Sequence, residues 1–159
     1  YPLATVFVRD GKLSLSEMGK REETLLPAPG IAAESASLNF SRTRVAFTGM
    51  REGDETPRLF LLEIKKGTVE LLPTGLAGGH RDAVFSTDEK YVYFTASESP
   101  TFDLSHPTRL RRWDLAKKRV EEAAPASRPA KDTTPPALPD SPAPPTLRRL
   151  YTTNVQSTT

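Results

Sequence analysis

The sequence predicts an all-β repeat protein. Three observations carry that prediction. One 16-residue segment recurs along the chain, the pieces around it alternate apolar and polar residues, and no ten-residue stretch shows a helical stripe. Lys12–Pro27 reads KLSLSEMGKREETLLP, and Arg58–Pro73, 46 residues later, reads RLFLLEIKKGTVELLP. The two align without a gap: Leu13 meets Leu59, Leu15 meets Leu61, Glu17 meets Glu63, Met18 meets Ile64, and Leu25-Leu26-Pro27 meets Leu71-Leu72-Pro73. A third copy opens at Arg109 as RLRRWDLAKKRVEE. It puts Leu110 at the place of Leu59, Trp113 at Leu62, Asp114 at Glu63, Leu115 at Ile64 and Val120-Glu121 at Val69-Glu70.

A second unit precedes the last two copies. Leu38–Thr48 reads LNFSRTRVAFT and Val84–Thr95 reads VFSTDEKYVYFT. Each holds a Phe-Ser (Phe40-Ser41, Phe85-Ser86), a polar turn and an alternating run that closes on Phe-Thr. Ahead of the first copy only the second half of this unit is visible, as Ala4–Arg9. The runs are rich in Val, Phe, Tyr and Thr, as half-buried strands are. Asp10-Gly11 suits a tight hairpin, and Ser86–Glu89 and Lys65-Lys66-Gly67 suit polar turns.

Each full unit therefore has four strands, in the middle copy near Ser35–Phe40, Arg44–Thr48, Arg58–Ile64 and Thr68–Pro73. Four strands recurring about every 45 residues mark a β-propeller blade, a sheet that buries its faces only by stacking on its neighbours. The expected fold is four-stranded antiparallel blades of a partial β-propeller, about two and a half blades, with a Pro-rich C-terminal tail. The blades fall near residues 3–30 (incomplete), 35–78 and 82–124. A closed ring takes about four to eight blades, so the expectation is a part of a longer protein or an assembly of copies.

Residues 125–145 hold eight of the 15 prolines and read as a semi-rigid linker. Residues 146–159 form a tail in which Thr146–Val155 has the character of an edge strand. Apolar residues make up 36% of the chain, and no run approaches the roughly 20 residues of a membrane-spanning helix. The absence of cysteine excludes disulfides and thiolate metal sites. The net charge of +2 is divided: residues 1–105 carry 12 basic and 15 acidic side chains, residues 106–159 carry 10 and 5. The first residue is Tyr1 rather than Met, which is expected when an N-terminal export segment has been removed or the chain trimmed.

No constellation of catalytic residues stands out. His80 and His106 are the sole imidazoles and lack the three or so further ligands that zinc wants. Gly75–Gly79 is glycine-rich, but no helix follows it to cradle a phosphate. Asp82, Asp88 and Asp103 lack calcium-loop spacing, and no Gly-x-Ser-x-Gly elbow is present. No cofactor is expected. Arg109–Trp113 and Arg148–Tyr151 mix cations with aromatic rings, but strand packing of Trp113 under arginine stems accounts for the first, and nucleic acid is not the expected partner. The contact candidates are on loops that rigid blades would present. They are Arg51, Asp54 and Glu55 in REGDETP, Phe102, Asp103 and His106 in ESPTFDLSHPT, His80 after Gly78-Gly79, and Arg111.

Phe85-Ser-Thr-Asp-Glu-Lys-Tyr-Val-Tyr-Phe-Thr95 is similar to the F-S-P-D-G-K-x-[IV]-[YA]-F-[TS] core of TolB-type propellers, which resemble WD repeats without the Gly-His and Trp-Asp hallmarks. Phe40–Thr48 is a weaker version. The Pro-Asp-Gly turn of that family is Thr87-Asp88-Glu89 in one copy and Arg42-Thr43 in the other. The resemblance covers about residues 3–124 and implies an extracytoplasmic, for example periplasmic, protein-binding scaffold without catalytic residues of its own. Its partner would be another protein, or further copies completing a propeller. The resemblance leaves two alternatives open. One is the propeller segment of a prolyl-oligopeptidase-type hydrolase whose catalytic domain lies outside these residues, and the other is a structural subunit of an envelope or filament assembly.

Overall fold

The computed structural model describes residues 3–101, 105 and 107–123, all within one compact unit. The expected linker at 125–145 and tail at 146–159 lie outside the described residues, as do Phe102, Asp103 and His106. Among the described residues every regular element is a strand. The first sheet orders β1 (Ala4–Arg9), β2 (Lys12–Glu17) and β3 (Thr24–Leu26). The second orders β4 (Ile31–Leu38), β5 (Arg44–Arg51), β6 (Arg58–Glu63) and β7 (Thr68–Leu71). The third orders β8 (Arg81–Phe85), β9 (Tyr91–Ala96), β10 (Arg109–Asp114) and β11 (Arg119–Glu122). All neighbours pair antiparallel.

The aligned copies occupy the same place in successive sheets. Leu13 stands opposite Leu26, and the matched Leu59 accepts a hydrogen bond from the Leu72 amide at 2.9 Å. Leu62 stands opposite Val69, and the matched Trp113 opposite Val120. The Asp10-Gly11 hairpin has both residues at positive φ (53° and 75°), as a two-residue turn between twisted strands requires. Strand β4 starts at Ile31, ahead of the expected Ser35, because a bulge between Ala33 and Ser35 breaks the alternation that marks a strand in sequence. The same irregularity recurs between Arg81 and Val84.

One sequence match is corrected by the structure. Phe40-Ser41 and Phe85-Ser86 are not equivalent. The Asn39 amide bonds to Arg44 O and the Ser86 amide to Tyr91 O, so Asn39 matches Ser86 and Leu38 matches Phe85. Phe85 is 8% exposed at a strand end, whereas Phe40 sits in the turn and is 81% exposed. The residue that answers Glu89 is Arg42, and both take positive φ (61° and 65°), the conformation for which the similar motif uses glycine.

Packing explains why the three copies differ. The second sheet is covered on both faces. Val45, Phe47, Phe60 and Leu62 meet Val6, Leu13 and Leu26 of the first sheet, with Phe47 and Phe60 stacked at 5.3 Å. On the opposite face Ala46, Leu59, Leu61 and Leu72 meet Phe85, Val92, Phe94 and Trp113 of the third. A strand buried on both sides reads as a continuous apolar run, hence Leu59–Leu62. At the outer face of the first sheet the matched positions are Ser14 and Ser16, and at the outer face of the third they are Leu110 and Arg112. Both outer faces carry a guanidinium over an aromatic ring. Arg9 lies 4.9 Å from the Phe7 ring and 2.7 Å from Glu23, and Arg112 lies 4.0 Å from the Tyr91 ring and 2.9 Å from Glu121.

Candidate functional site

The β5–β6 loop closes on itself before it presents anything. The Asp54 carboxylate accepts the Arg51 amide at 2.8 Å, the Asp54 amide donates to Arg51 O at 3.0 Å, and the Arg51 guanidinium lies over the Phe60 ring. Arg51 and Asp54 therefore shape the turn. Glu55, next along, is exposed and lines a recess of about 680 Å³ together with Thr56 and Pro57. The facing wall comes from the connection between β9 and β10: Ser97, Ser99, Thr101 and Thr108 supply hydroxyls, and Pro100 and Pro107 stiffen it. Glu34 and Arg81, one from each inner strand, complete the floor and lie 3.5 Å apart.

Two residues hold these walls at their distance. Gly78 donates to Ser97 O at 3.0 Å, and a methyl group there would run into Ser97 Oγ and into the carbonyl oxygens of Ser97 and Ser99. His80 is fully buried at 0% exposure, so it is not the ligand contact that its position after Gly78-Gly79 suggested. Its Nδ1 lies 3.2 Å from Pro57 O and its Nε2 2.6 Å from Thr74 Oγ1, and its ring stacks on Phe94 at 5.4 Å. A carbonyl only accepts, so Nδ1 carries the proton and Nε2 accepts from the Thr74 hydroxyl. Burial, with the Arg58 guanidinium nearby, pushes the His80 pKa down to about 4, so the ring is neutral at pH 7.

Arg111 is likewise no surface contact. It is 5% exposed, takes the ladder position that Phe60 holds in the second sheet, and bonds through Nε to Ala96 O at 3.1 Å and through Nη1 to Glu122 at 3.4 Å. Of the expected contact residues, the structure places Glu55 in the lining of the recess, Arg51 and Asp54 in the β5–β6 turn, His80 buried against Pro57, and Arg111 beside Glu122 in a separate cleft of about 200 Å³. Sequence reasoning missed Glu34 and Arg81. They are 47 residues apart, Glu34 within the bulge of β4 and Arg81 at the start of the matching irregularity of β8, so repeat spacing was the available signal.

Both nitrogens of His80 are engaged, Nδ1 with Pro57 O and Nε2 with the Thr74 hydroxyl, and His80 is not among the residues that line the recess. Nor do the described residues include a group of three or more His, Asp or Glu side chains placed to hold a metal ion. What the recess offers is hydroxyls, prolines and the Glu34–Arg81 ion pair.

No protein-family model matches the chain, and no curated protein sequence does either. Solved structures do match. TolB from Acinetobacter baumannii is 17% identical with a TM-score of 0.55 over 77% of this chain and 30% of that one. A putative TolB from Agrobacterium tumefaciens is 14% identical with a TM-score of 0.58, covering 76% of this chain and 42% of that one. The β-propeller domain of the Trilobed protease from Pyrococcus furiosus, titled as having an open velcro topology, is 11% identical with a TM-score of 0.50, covering 75% and 37%. The chain thus spans less than half the length of these structures. At such identities the likeness establishes the fold, a TolB-type β-propeller-like fold represented in part.

Proposed function

We propose that this chain is a non-catalytic protein-binding module, in which the stacked blades hold the recess between the β5–β6 loop and the β9–β10 connection as the contact site for an extracytoplasmic protein partner. The observation that carries the reading is the convergence of two long loops from different sheets on one recess, with buried groups spent on fixing their separation. His80 and Gly78 do nothing chemical there, yet they tie Pro57, Thr74 and Ser97 into one frame. Rigid scaffolds with shaped loops are how such folds recruit partners.

The test is site-specific crosslinking. A photoreactive residue at Glu55 or Thr101 is expected to capture a defined protein from the native extract, and the same residue at Lys65 or Lys118, in turns away from the recess, is not. Equal capture from all four positions, or capture from Thr101 that is undiminished by Glu55→Arg, overturns the reading. A hydrolase propeller remains the second reading, because a protease propeller domain shares the fold. It requires a catalytic domain outside these residues, and peptide hydrolysis by this chain alone would overturn the non-catalytic assignment.

A further inference from the structure

The recess shares one of its residues with a second cavity. Met50, half-buried near the end of β5, lines the recess and also a groove of about 610 Å³. One wall of the groove is the Asp10–Lys12 hairpin, and the other is the connection from β3 to β4 with Pro27 and Pro29. Leu13, Leu26 and Ala32 add to the lining. The Ala33 amide donates to Gly11 O at 2.8 Å, which fastens the hairpin to β4. The groove therefore belongs to the junction of two consecutive sheets and not to a free strand edge. Glycine at position 49 lets β4 come this close to β5, since a methyl group there would run into Ala32 O and Ile31 Cγ2. The ladder then sets Ala32 opposite Met50, where the two cavities meet.

Their chemistry is complementary. The recess is lined by hydroxyls and carboxylates, the groove by aliphatic side chains and prolines. The thioether of Met50, soft and unbranched, suits a wall common to both. Charge distinguishes the recess further. Glu34 is held by Arg81, and Asp54 by Arg51. Glu55 carries no ion pair among the described residues, nor do Asp10, Glu52, Asp82 and Glu98 at the same end of the strands. The cations at that end without an acid partner are Lys12, Arg58 and Arg109, and Arg58 is spent on Leu76 O at 3.1 Å. What is left unpaired there is acidic.

We propose that recess and groove are the two halves of one peptide-binding site, which reads an extended partner segment with a basic residue and a bulky aliphatic residue at a fixed separation. The basic side chain pairs with Glu55, the aliphatic one lies in the groove beside Ala32, and the backbone between them passes over Met50. The proposal rests on the recess being a contact site and adds the class of sequence it accepts. Burial of the aliphatic side chain supplies affinity, and the unpaired carboxylate supplies selection and steering.

A randomised dodecapeptide library displayed on phage, selected on the immobilised full chain, supplies the probe. Enriched peptides are expected to carry Lys or Arg and Leu, Ile or Met at one recurring separation. A synthetic peptide of that sequence is expected to lose at least about tenfold in affinity for Glu55→Lys and again for Ala32→Glu, and to be unaffected by Lys65→Glu in a turn at the other end. Both substituted positions are exposed, and a charge swap makes the result independent of their effect on the fold: the peptide with Glu for its basic residue is expected to recover affinity for Glu55→Lys. Absence of that recovery overturns the pairing. Loss on Glu55→Lys without loss on Ala32→Glu overturns the joint site and leaves the recess reading standing, whereas loss on Ala32→Glu alone overturns both. No enriched sequence, or peptides indifferent to both substitutions, overturns the joint site and leaves the recess to the crosslinking result.

Discussion

His80 shows how a single side chain can carry the geometry of a site without touching a ligand. Its neutral ring joins a donor to Pro57 and an acceptor for Thr74, and a proton on Nε2 would turn the Thr74 hydroxyl into the acceptor and bury a positive charge near Arg58. Because its folded pKa of about 4 lies below the ordinary 6.5, the unfolded chain binds a proton more readily than the folded one. Stability from this residue is therefore complete above about pH 6.5 and is lost as the pH falls towards 4, on the order of 3 kcal/mol in all. Urea titrations between pH 7.5 and 4 should show that loss, and His80→Gln should flatten the part of the pH profile between 6.5 and 4. A profile unchanged by the substitution would remove the histidine from this role. Nothing local in the sequence distinguishes this buried histidine from a loop contact: it follows two glycines, and the carbonyl that pins it belongs to Pro57, 23 residues earlier. Arg111 is buried at 5% exposure for a related reason: its ladder position is the one Phe60 occupies in the second sheet.

At the scale of elements, the differences between the repeats carry as much information as their likeness. Leu59 and Leu110 are matched positions, yet Leu59 is 0% exposed between two sheets and Leu110 is 44% exposed on an outer face. Leu59→Ala should cost about 2–5 kcal/mol and Leu110→Ala less than about 1, as measured by the shift in denaturation midpoint. Similar losses at both would mean that the outer face of the third sheet is covered. The strands and their pairing were legible because period-two alternation and turn residues are local signals. The bulge was not, because an extra residue at Glu34 reverses which side chains face inwards and hides the first half of β4. The Phe40–Phe85 mismatch arose in the same way: identical dipeptides were matched two residues out of register, and only backbone hydrogen bonds show that Leu38 and Phe85 share a place. The recess was half legible. Its loops were marked by length and composition, whereas Glu34 and Arg81 meet across sheets with no local signature.

For the whole molecule, the second sheet is the one whose two faces are both buried, and the stack is only as firm as that sheet. Opening β5 or β6 exposes both cores, while β3 and β11 can fray at little cost. Amides in the centre of β5 and β6 should therefore exchange at least about a hundredfold more slowly than those of β3 and β11, as read by hydrogen exchange. Uniform protection across the three sheets would show instead that they open as one unit.

The arginines seated on Phe7 and Tyr91 have a consequence for what can sit beyond the outermost sheets. A neighbour pressed flat against either end would have to dehydrate a guanidinium and its carboxylate, and such a loss is seldom recovered by the attraction between them. Both outer faces are in that sense wettable, each carrying a charged pair over its ring.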